Sequence, residues 1–456
     1  MTDHALGRSA VKRQQSWYQA MWRWHFYAGI LFAPVFIILS VTGAIYLFKP
    51  QIEDMLYHDM RFTEVKDSRL SLAEQAASVK KKLPESAILS VSQPHEADRT
   101  TEFSVQSGEE EGYVHVDPYT GAITGKRFTQ SPFDWIKTMH GELYAGKAGN
   151  LLVELAASWA IILIVTGAYL FWPRGATHAR DIWFPSFRQK GRNSWKQLHG
   201  SIAAWSTVGL ILIIGSGLAW SGVAGGWINT VATKTNSNFP QYAFGADESV
   251  QSTVMTRDIA KDVPWATQQD VVPASAPAKG IPLKVDEVAN HAATLGLEPP
   301  YRITLPQGEE GVYTLSSLHQ EPLKEATIIL DQYSGTVLSH VTFADYGLLA
   351  KLISLGIGFH EGRLFGLLNQ LVGLALCLGL IFITVSSFVL WWKRRDGSRK
   401  LRAPKSPTDE TVKRTVGLII LAISLTMPLA ALSVFAVLLL DFFVFRRIER
   451  KREVAA

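Results

Sequence analysis

The stretch WRWHFYAGILFAPVFIILSVTGA (residues 22–44) has no charged residue after Arg23 and carries a histidine, His25, near its start. A run of about 20 apolar residues is what a helix needs to cross a ~30 Å hydrocarbon core. Comparable runs fill roughly 151–172, 199–222 and 366–392, and a fifth lies near 415–445. The chain has 456 residues, 47% of them hydrophobic, with 14 Trp and 22 Phe. Because the apolar residues gather in these runs, the chain reads as a polytopic membrane protein, an α-helical bundle of four main spans, and not as several soluble domains. The first run is too long for the h-region of a cleaved signal, so a retained anchor is expected.

The formal net charge of +5 is not a nucleic-acid signal, because the basic residues collect at the ends of the apolar runs. Arg13 and Arg23 precede the first, Arg188, Lys190 and Lys196 stand between the second and third, and Lys393, Arg394 and Arg395 follow the fourth. The long segments 49–139 and 223–359 each carry more acid than base. The positive-inside rule then places 1–24, 173–197 and 393–414 in the cytoplasm and the two long segments outside. The spans are expected at 25–48, 140–172, 198–222 and 360–392. The segment 415–445 is either one span kinked at Pro428 or a short hairpin, and 446–456 is a basic tail. A single cysteine, Cys377, excludes internal disulfides, a Cys-x-x-Cys-His haem and a cysteine-ligated iron–sulfur cluster.

The chain repeats itself. Gly43 follows His25 by 18 residues and Gly217 follows His199 by 18. Gly146 and Trp172 follow His140 by six and 32 residues, and Gly366 and Trp392 follow His360 by the same steps. In that register Thr166-Gly167 falls opposite Ser386-Ser387, and Asp117-Pro-Tyr-Thr-Gly121 resembles Asp331-Gln-Tyr-Ser-Gly335. Since both halves start inside, the repeat is parallel. Each long segment reads as an α+β unit: a helix over 71–83 or 285–295, then four short strands. Those strands are expected at Ala87–Val91, Glu102–Gln106, Tyr113–Val116 and Ala122–Phe128, and near 301–305, 312–317, 326–331 and 336–343. Residues 272–282 read as a linker. Residues 223–271 have no counterpart in the first half, and are either a docking surface or a plain loop.

Of the 12 histidines, His25 and His199 stand at the expected cytoplasmic edge of a span, and His140 and His360 at the external edge. An interfacial histidine can simply anchor a helix end, but four in repeat-matched positions, paired by depth, suit another role. Two imidazoles at one depth on neighbouring helices can clamp an iron porphyrin from both faces. Eighteen residues are five helical turns, so Gly43 shares a face with His25 about 27 Å away. Gly43 and Gly217 would then let a macrocycle, or a neighbouring helix, approach. Glu142 and Glu361 adjoin the outer histidines and are ring partners, acids facing a substrate or ordinary interface residues. His178, in the expected cytoplasmic loop, is either a spare inner ligand or an ordinary loop residue, and Glu154 is the one candidate for a buried acid in the main spans.

The motifs Trp22-Arg-Trp-His-Phe-Tyr-Ala-Gly29, Val41-Thr-Gly-Ala44, Met139-His-Gly-Glu-Leu-Tyr-Ala-Gly146 and Lys196-Gln-Leu-His-Gly200, with the Asp-x-Tyr-[Thr/Ser]-Gly turns, resemble the PepSY-associated transmembrane helix family of bacterial inner-membrane proteins. The resemblance runs over about 18–395. It implies two b-type haems, with His25 and His199 ligating the inner one and His140 and His360 the outer. It implies electron transfer across the bacterial inner membrane to a ferric siderophore, and two periplasmic PepSY-like domains. Some members carry a fused flavin module, whereas no G-x-G-x-x-G after a strand is found here. The donor is therefore expected to be membrane quinol or a separate cytoplasmic reductase. A siderophore or iron transporter component, or a non-enzymatic PepSY-domain envelope regulator, are the other readings.

Overall fold

The computed structural model describes residues 2–172, 180–185, 190–235, 237, 255–260, 263–268, 271–275, 281–394, 404, 407 and 409–440. The chain divides into two units. One comprises Met1–Leu47, Ile136–Ile228 and Leu371–Ala456, and the other Phe48–Trp135 and Asn229–Gln370.

In the first, helical unit, four helices among the described residues are long and apolar enough to cross a membrane: Arg13–Tyr46, Gly146–Phe171, Arg192–Leu218 and Gly366–Trp392, the last beginning in the other unit. We refer to them as the first to fourth spans. The first packs on the second through Phe32, Phe36, Ala156, Trp159 and Ile162. Trp159 stacks on both Trp24 and Phe32, at ring-centroid distances of 5.9 and 6.1 Å. Large rings interlocked this way supply much dispersion energy where no hydrophobic drive exists between helices.

The segment left open between kinked span and hairpin is two helices, Glu410–Ser424 and Pro428–Leu440. At 15 and 13 residues they are about 22 and 20 Å long, short of a ~30 Å core. Pro428 starts the second helix, where a missing N–H costs nothing. Gly417 of one helix faces Leu438 of the other, so they run antiparallel. Val412, Val416, Ile420, Ala430 and Val434 join the Trp159 cluster, and Trp159 Nε1 donates to Ser433 Oγ at 3.0 Å. Glu154, 1% exposed, accepts from the backbone N–H groups of Val223 and Ala224 at 2.9 and 3.0 Å. A carboxylate at the start of the helix Val223–Lys234 satisfies donors the helix leaves open.

In the second unit eight strands form one antiparallel sheet: β1 (Ala87–Gln93), β2 (Thr101–Ser107), β3 (Glu110–Val116), β4 (Ile123–Arg127), β5 (Tyr301–Thr304), β6 (Val312–Ser317), β7 (Ala326–Asp331) and β8 (Val337–Thr342). Their order is β4-β3-β2-β1-β5-β6-β7-β8. The strands agree closely with the expected ranges, but the two expected α+β units share a sheet, because β1 pairs with β5 from Ser90↔Thr304 to Gln93↔Tyr301. Alternation sorts the faces. Phe103, Val105, Val114, Ile303, Leu315 and Ile328 point to one side, where Leu72, Val79, Val288 and Ala292 of the helices Leu72–Lys82 and Val285–Thr294 meet them in one core. Asp286 also ties the two helices, accepting from Leu72 N and Ala73 N at 2.7 and 3.1 Å.

The opposite face is mainly polar. Over β6 and β7 it is covered by Thr267, from the segment without a first-half counterpart, and by Val272, from the expected linker: Thr267 Oγ1 lies 3.3 Å from Thr327 Oγ1, and Val272 packs on the apolar Val312 and Ile329.

The two Asp-x-Tyr turns fold alike. Tyr119 N donates to Asp117 Oδ1 at 2.8 Å and Tyr333 N to Asp331 Oδ1 at 3.0 Å. Each turn ends on a glycine with positive φ, 70° at Gly121 and 69° at Gly335. An added Cβ would lie 2.8 Å from Ser78 Oγ at the first and 2.7 Å from His291 Nε2 at the second. Gly121→Ala and Gly335→Ala should therefore each destabilise the sheet unit by about 1–2 kcal/mol. Thermal unfolding of the purified protein should show this as a lowered Tm, and an unchanged Tm in both variants would contradict the turn geometry.

Candidate functional site

The four repeat-matched histidines lie in different local settings. His25 and His199 sit within the long first and third spans. His140 is near the end of the helix Pro132–Glu142 and His360 is the last residue of Leu348–His360. The second and fourth spans therefore start not at 140 and 360 but at Gly146 and Gly366. The physical cause is a backbone reversal. Gly146 and Gly366 have φ of 52° and 57°, and Leu143 and Tyr144 also lie at positive φ, a conformation that costs a side-chain-bearing residue roughly 1–2 kcal/mol. Each histidine thus ends one helix, with a turn before the next. His140 belongs to the helical unit and His360 to the sheet unit. All four rings are half-buried, keeping some accessible surface.

Three of the rings are held by the same device. His25 Nδ1 lies 3.0 Å from Thr166 Oγ1, His199 Nδ1 lies 2.9 Å from Ser386 Oγ, and His140 Nδ1 lies 2.8 Å from Thr42 Oγ1. Each hydroxyl also contacts a backbone carbonyl of its own helix. Thr166 bonds Ile162 O at 2.8 Å, Ser386 bonds Ile383 O at 2.9 Å and Thr42 bonds Ile38 O at 2.7 Å. A carbonyl oxygen cannot donate, so two oxygens this close require the hydroxyl hydrogen between them. The hydroxyl then has only lone pairs to offer the ring, and Nδ1 must carry the proton. In a neutral imidazole this leaves the lone pair on Nε2, the arrangement a metal-binding histidine needs. Ser216, 17 residues after His199 as Thr42 is after His25, donates to Ile213 O at 2.9 Å.

Sequence reasoning did not give these hydroxyls a role. It placed Thr166 opposite Ser386 only as a repeat register. The available signal was a hydroxyl-bearing residue beside a small one, at matched positions in helices facing each histidine.

The glycines serve the rings more directly than expected. A Cβ on Gly43 would meet His140 Cε1 at 3.4 Å and Cys377 Sγ at 3.7 Å, and one on Gly167 would meet His25 Cε1 at 3.1 Å. Gly43 thus lies at the level expected, but the space it leaves is bounded by the imidazole. Gly217 is in the last turn of the third span, its carbonyl accepting from Trp220 N at 3.1 Å.

His25 and His199 are close enough to interact electrostatically. Near them, Phe26 meets Trp391 edge-on at 6.2 Å, and Trp195 stacks on Phe382 at 6.1 Å. Trp391 Nε1 is buried with no hydrogen-bond partner among the described residues, and the Arg394 guanidinium lies 4.8 Å from the Trp22 ring centre. A buried indole N–H and a cation at one end of the fourth span would suit a carboxylate-bearing ligand there. Glu361 bonds Arg363 Nε at 2.6 Å, and Glu142 offers its backbone oxygen to Ala145 N at 2.8 Å. His178 lies outside the described residues. Among the described residues no three His, Cys, Asp or Glu side chains converge as a protein-only metal site would need. A neutral imidazole with a bare Nε2, as at His25, His199 and His140, is a donor of the kind a haem iron can take.

The family described as PepSY-associated TM region matches residues 22–394. No curated protein matches the chain significantly.

The hydroxyl geometry makes a direct prediction. In protein from haem-depleted cells, labelled with nitrogen-15 histidine, His25 and His199 should each show a protonated Nδ1 and a bare Nε2. Thr166→Val keeps the shape but removes the acceptor, and a bond of about 1 kcal/mol corresponds to a roughly fivefold shift in the His25 tautomer ratio. His199 should not change. Equal tautomer populations at His25 before and after the substitution would rule the device out.

Proposed function

This chain belongs to the PepSY-associated TM family, and on that premise we propose that it is a di-haem b oxidoreductase of the bacterial inner membrane. It takes electrons from quinol or a cytoplasmic reductase and passes them to the periplasm, where they reduce the Fe(III) of a ferric siderophore to Fe(II). His25 and His199 would hold one haem and His140 and His360 the other. When bound, haem iron supplies one-electron chemistry by cycling between its ferric and ferrous states.

The observation that carries this reading is the hydroxyl-fixed tautomer at His25, His199 and His140. The protein residues do the positioning. Thr166 and Ser386 orient the first pair of rings and leave Nε2 unprotonated, and Thr42 does so for His140. Trp391 and Arg394 offer a hydrogen-bond donor and a charge to a carboxylate of the group held by the first pair. Gly43 and Gly167 leave the imidazoles unobstructed.

The same reading takes the chain as a parallel tandem repeat. The matching turns at Asp117 and Asp331 support it, as do the mirrored strand order and the same hydroxyl-to-carbonyl bond at Thr42 and Ser216. Transport through the bundle is less well supported, because Glu154, the acid best placed to line a path, already accepts from two backbone N–H groups.

Protein purified from haem-supplied cells should be red, with the Soret band and sharp reduced α-band of bis-histidine haem and about two haems per chain. His25→Ala or His199→Ala should each remove about half of the haem and spare the rest. A colourless wild-type protein, or full haem retention in both variants, would sink the proposal.

A further inference from the structure

The helix Leu348–His360 precedes the fourth span and is apolar on two opposite sides. One side holds Ala350, Ile353, Ser354, Ile357 and Gly358, all buried. Steps of three and four residues make these one helical stripe, and the stripe packs on the sheet unit along the length of the helix. Near its start Ala350 joins Val341 and Tyr346 in one apolar cluster. In the middle Ser354 Oγ donates to Glu325 Oε2 at 2.8 Å, and near the end Gly358 makes room for the Pro322 ring.

The opposite side is the stripe Leu348, Leu352, Leu355 and Phe359, at steps of four, three and four. Leu348 is 71% exposed and Leu352 57%, while Leu355 and Phe359 are half-buried. No polar side chain interrupts this stripe. The one Lys of the helix, Lys351, stands on its flank, and its amine donates to Ala344 O at 2.7 Å. A helix on the surface of a soluble domain turns its charged residues away from the core. Here the uncovered stripe is as apolar as the covered one. The helix Pro132–Glu142, which precedes the second span, differs: it exposes Asp134 and Lys137 beside Trp135, a mixed surface that suits water.

The end of the helix shows what covers the apolar stripe. Asn369, in the first turn of the fourth span, is buried and donates through Nδ2 to Phe359 O at 2.9 Å. Arg363 N and Leu364 N both donate to Gly358 O, at 2.7 and 3.0 Å. These bonds fasten the helix to the point where the membrane-crossing helix begins. The exposed apolar surface continues there through Phe365, Leu367 and Leu368. With 13 residues the helix is about 20 Å long, too short to cross a ~30 Å core. Backed by the sheet unit along one side, it has only the membrane surface on which to lay the other.

We propose that Leu348–His360 is an in-plane membrane anchor. Its stripe of Leu348, Leu352, Leu355 and Phe359 sinks among the acyl chains of the leaflet in which the fourth span begins, and Lys351 reaches to headgroup level from the flank. The sheet unit then holds the lipid through a surface of its own, in addition to its chain connections to the spans. The occupant of the stripe is phospholipid, whether or not haem is bound.

The first test uses the wild-type chain. Full-length protein is reconstituted into vesicles of phosphatidylcholine and phosphatidylglycerol that include a phospholipid with a diazirine in its acyl chain. After irradiation and digestion, labelled residues are located by mass spectrometry. Label should appear within 348–359 and on the fourth span, which serves as internal standard, and be absent from the β2–β3 hairpin. A labelled fourth span with unlabelled 348–359 would overturn the proposal.

A second measurement reads depth. Cys377→Ser removes the one cysteine of the chain, and a nitroxide is then attached at Leu348→Cys, at Leu352→Cys or, as a water-exposed reference, at Glu109→Cys. The ratio of accessibility to oxygen over accessibility to a nickel chelate should be at least about fivefold higher at 348 and 352 than at 109, as insertion by roughly 5–10 Å would give. Equal ratios at the three positions refute the anchor. So does shielding of 348 and 352 from both reagents, the result expected if a second copy or another protein covers the stripe. Gel filtration checks the fold of each labelled variant, and the wild-type labelling decides the matter alone if a variant fails to fold.

Discussion

An imidazole and a hydroxyl are both costly in hydrocarbon unless each answers the other, and this constraint organises the helical unit. Thr166 of the second span reaches His25 of the first, and Thr42 of the first reaches His140 just before the second. The first bond joins the first and second spans, and the second joins the first span to the helix Pro132–Glu142, several turns away along the first span. Ser386 and His199 tie the fourth and third spans. Each such bond contributes only about 0.6–2 kcal/mol to helix association. The larger effect is on orientation: a ring gripped at Nδ1 presents Nε2 in one direction, whatever the rest of the helix does.

The sheet unit meets a different version of the problem. Its apolar face is covered by two helices and needs no further partner. Its other face carries Arg302, 7% exposed, which pairs with Glu102 at 3.2 Å, while Glu102 also lies 3.5 Å from His115 Nε2. Partly buried ion pairs rarely stabilise more than apolar packing of the same shape would. Their retention at the junction of β1 and β5 is easier to understand as recognition chemistry than as a way of holding the sheet together. Over β6 and β7 the same face is covered: Thr327 meets Thr267, and Val312 and Ile329 pack on Val272.

Much of this was legible in the sequence, because it follows from periodicity. The eight strands, the helices at 72–82 and 285–294 and the four long apolar helices each have a local pattern that burial enforces. Two features were not readable. The joining of β1 to β5 is a pairing between distant segments, and alternation within a strand does not name its neighbour. The breaks after His140 and His360 depend on positive φ at Gly146 and Gly366, whereas an apolar run reads the same whether or not a turn interrupts it. The histidines stood out because a titratable ring inside an apolar run is expensive. Thr42, Thr166 and Ser386 did not, since a hydroxyl in such a run usually bonds its own helix. Here it does that too, and the same bond dictates which way the ring's proton must point.

The pairing of β1 with β5 also bears on how the chain avoids sticking to itself. Two separate four-stranded sheets would present four unpaired rims, two of them the strands carrying Ser90–Gln93 and Tyr301–Thr304. Joined, among the described residues, they leave β4 and β8 as the rims. Both outer strands are irregular: the β3–β4 ladder slips at His115/Val116 and the β7–β8 ladder at Ile329/Leu330. Such bulges twist a rim away from a flat template. A chain cut between its halves would uncover two further rims with free N–H and C=O groups. Its fragments would be expected to recombine or to aggregate by strand addition, and neither would persist as a stable half-molecule.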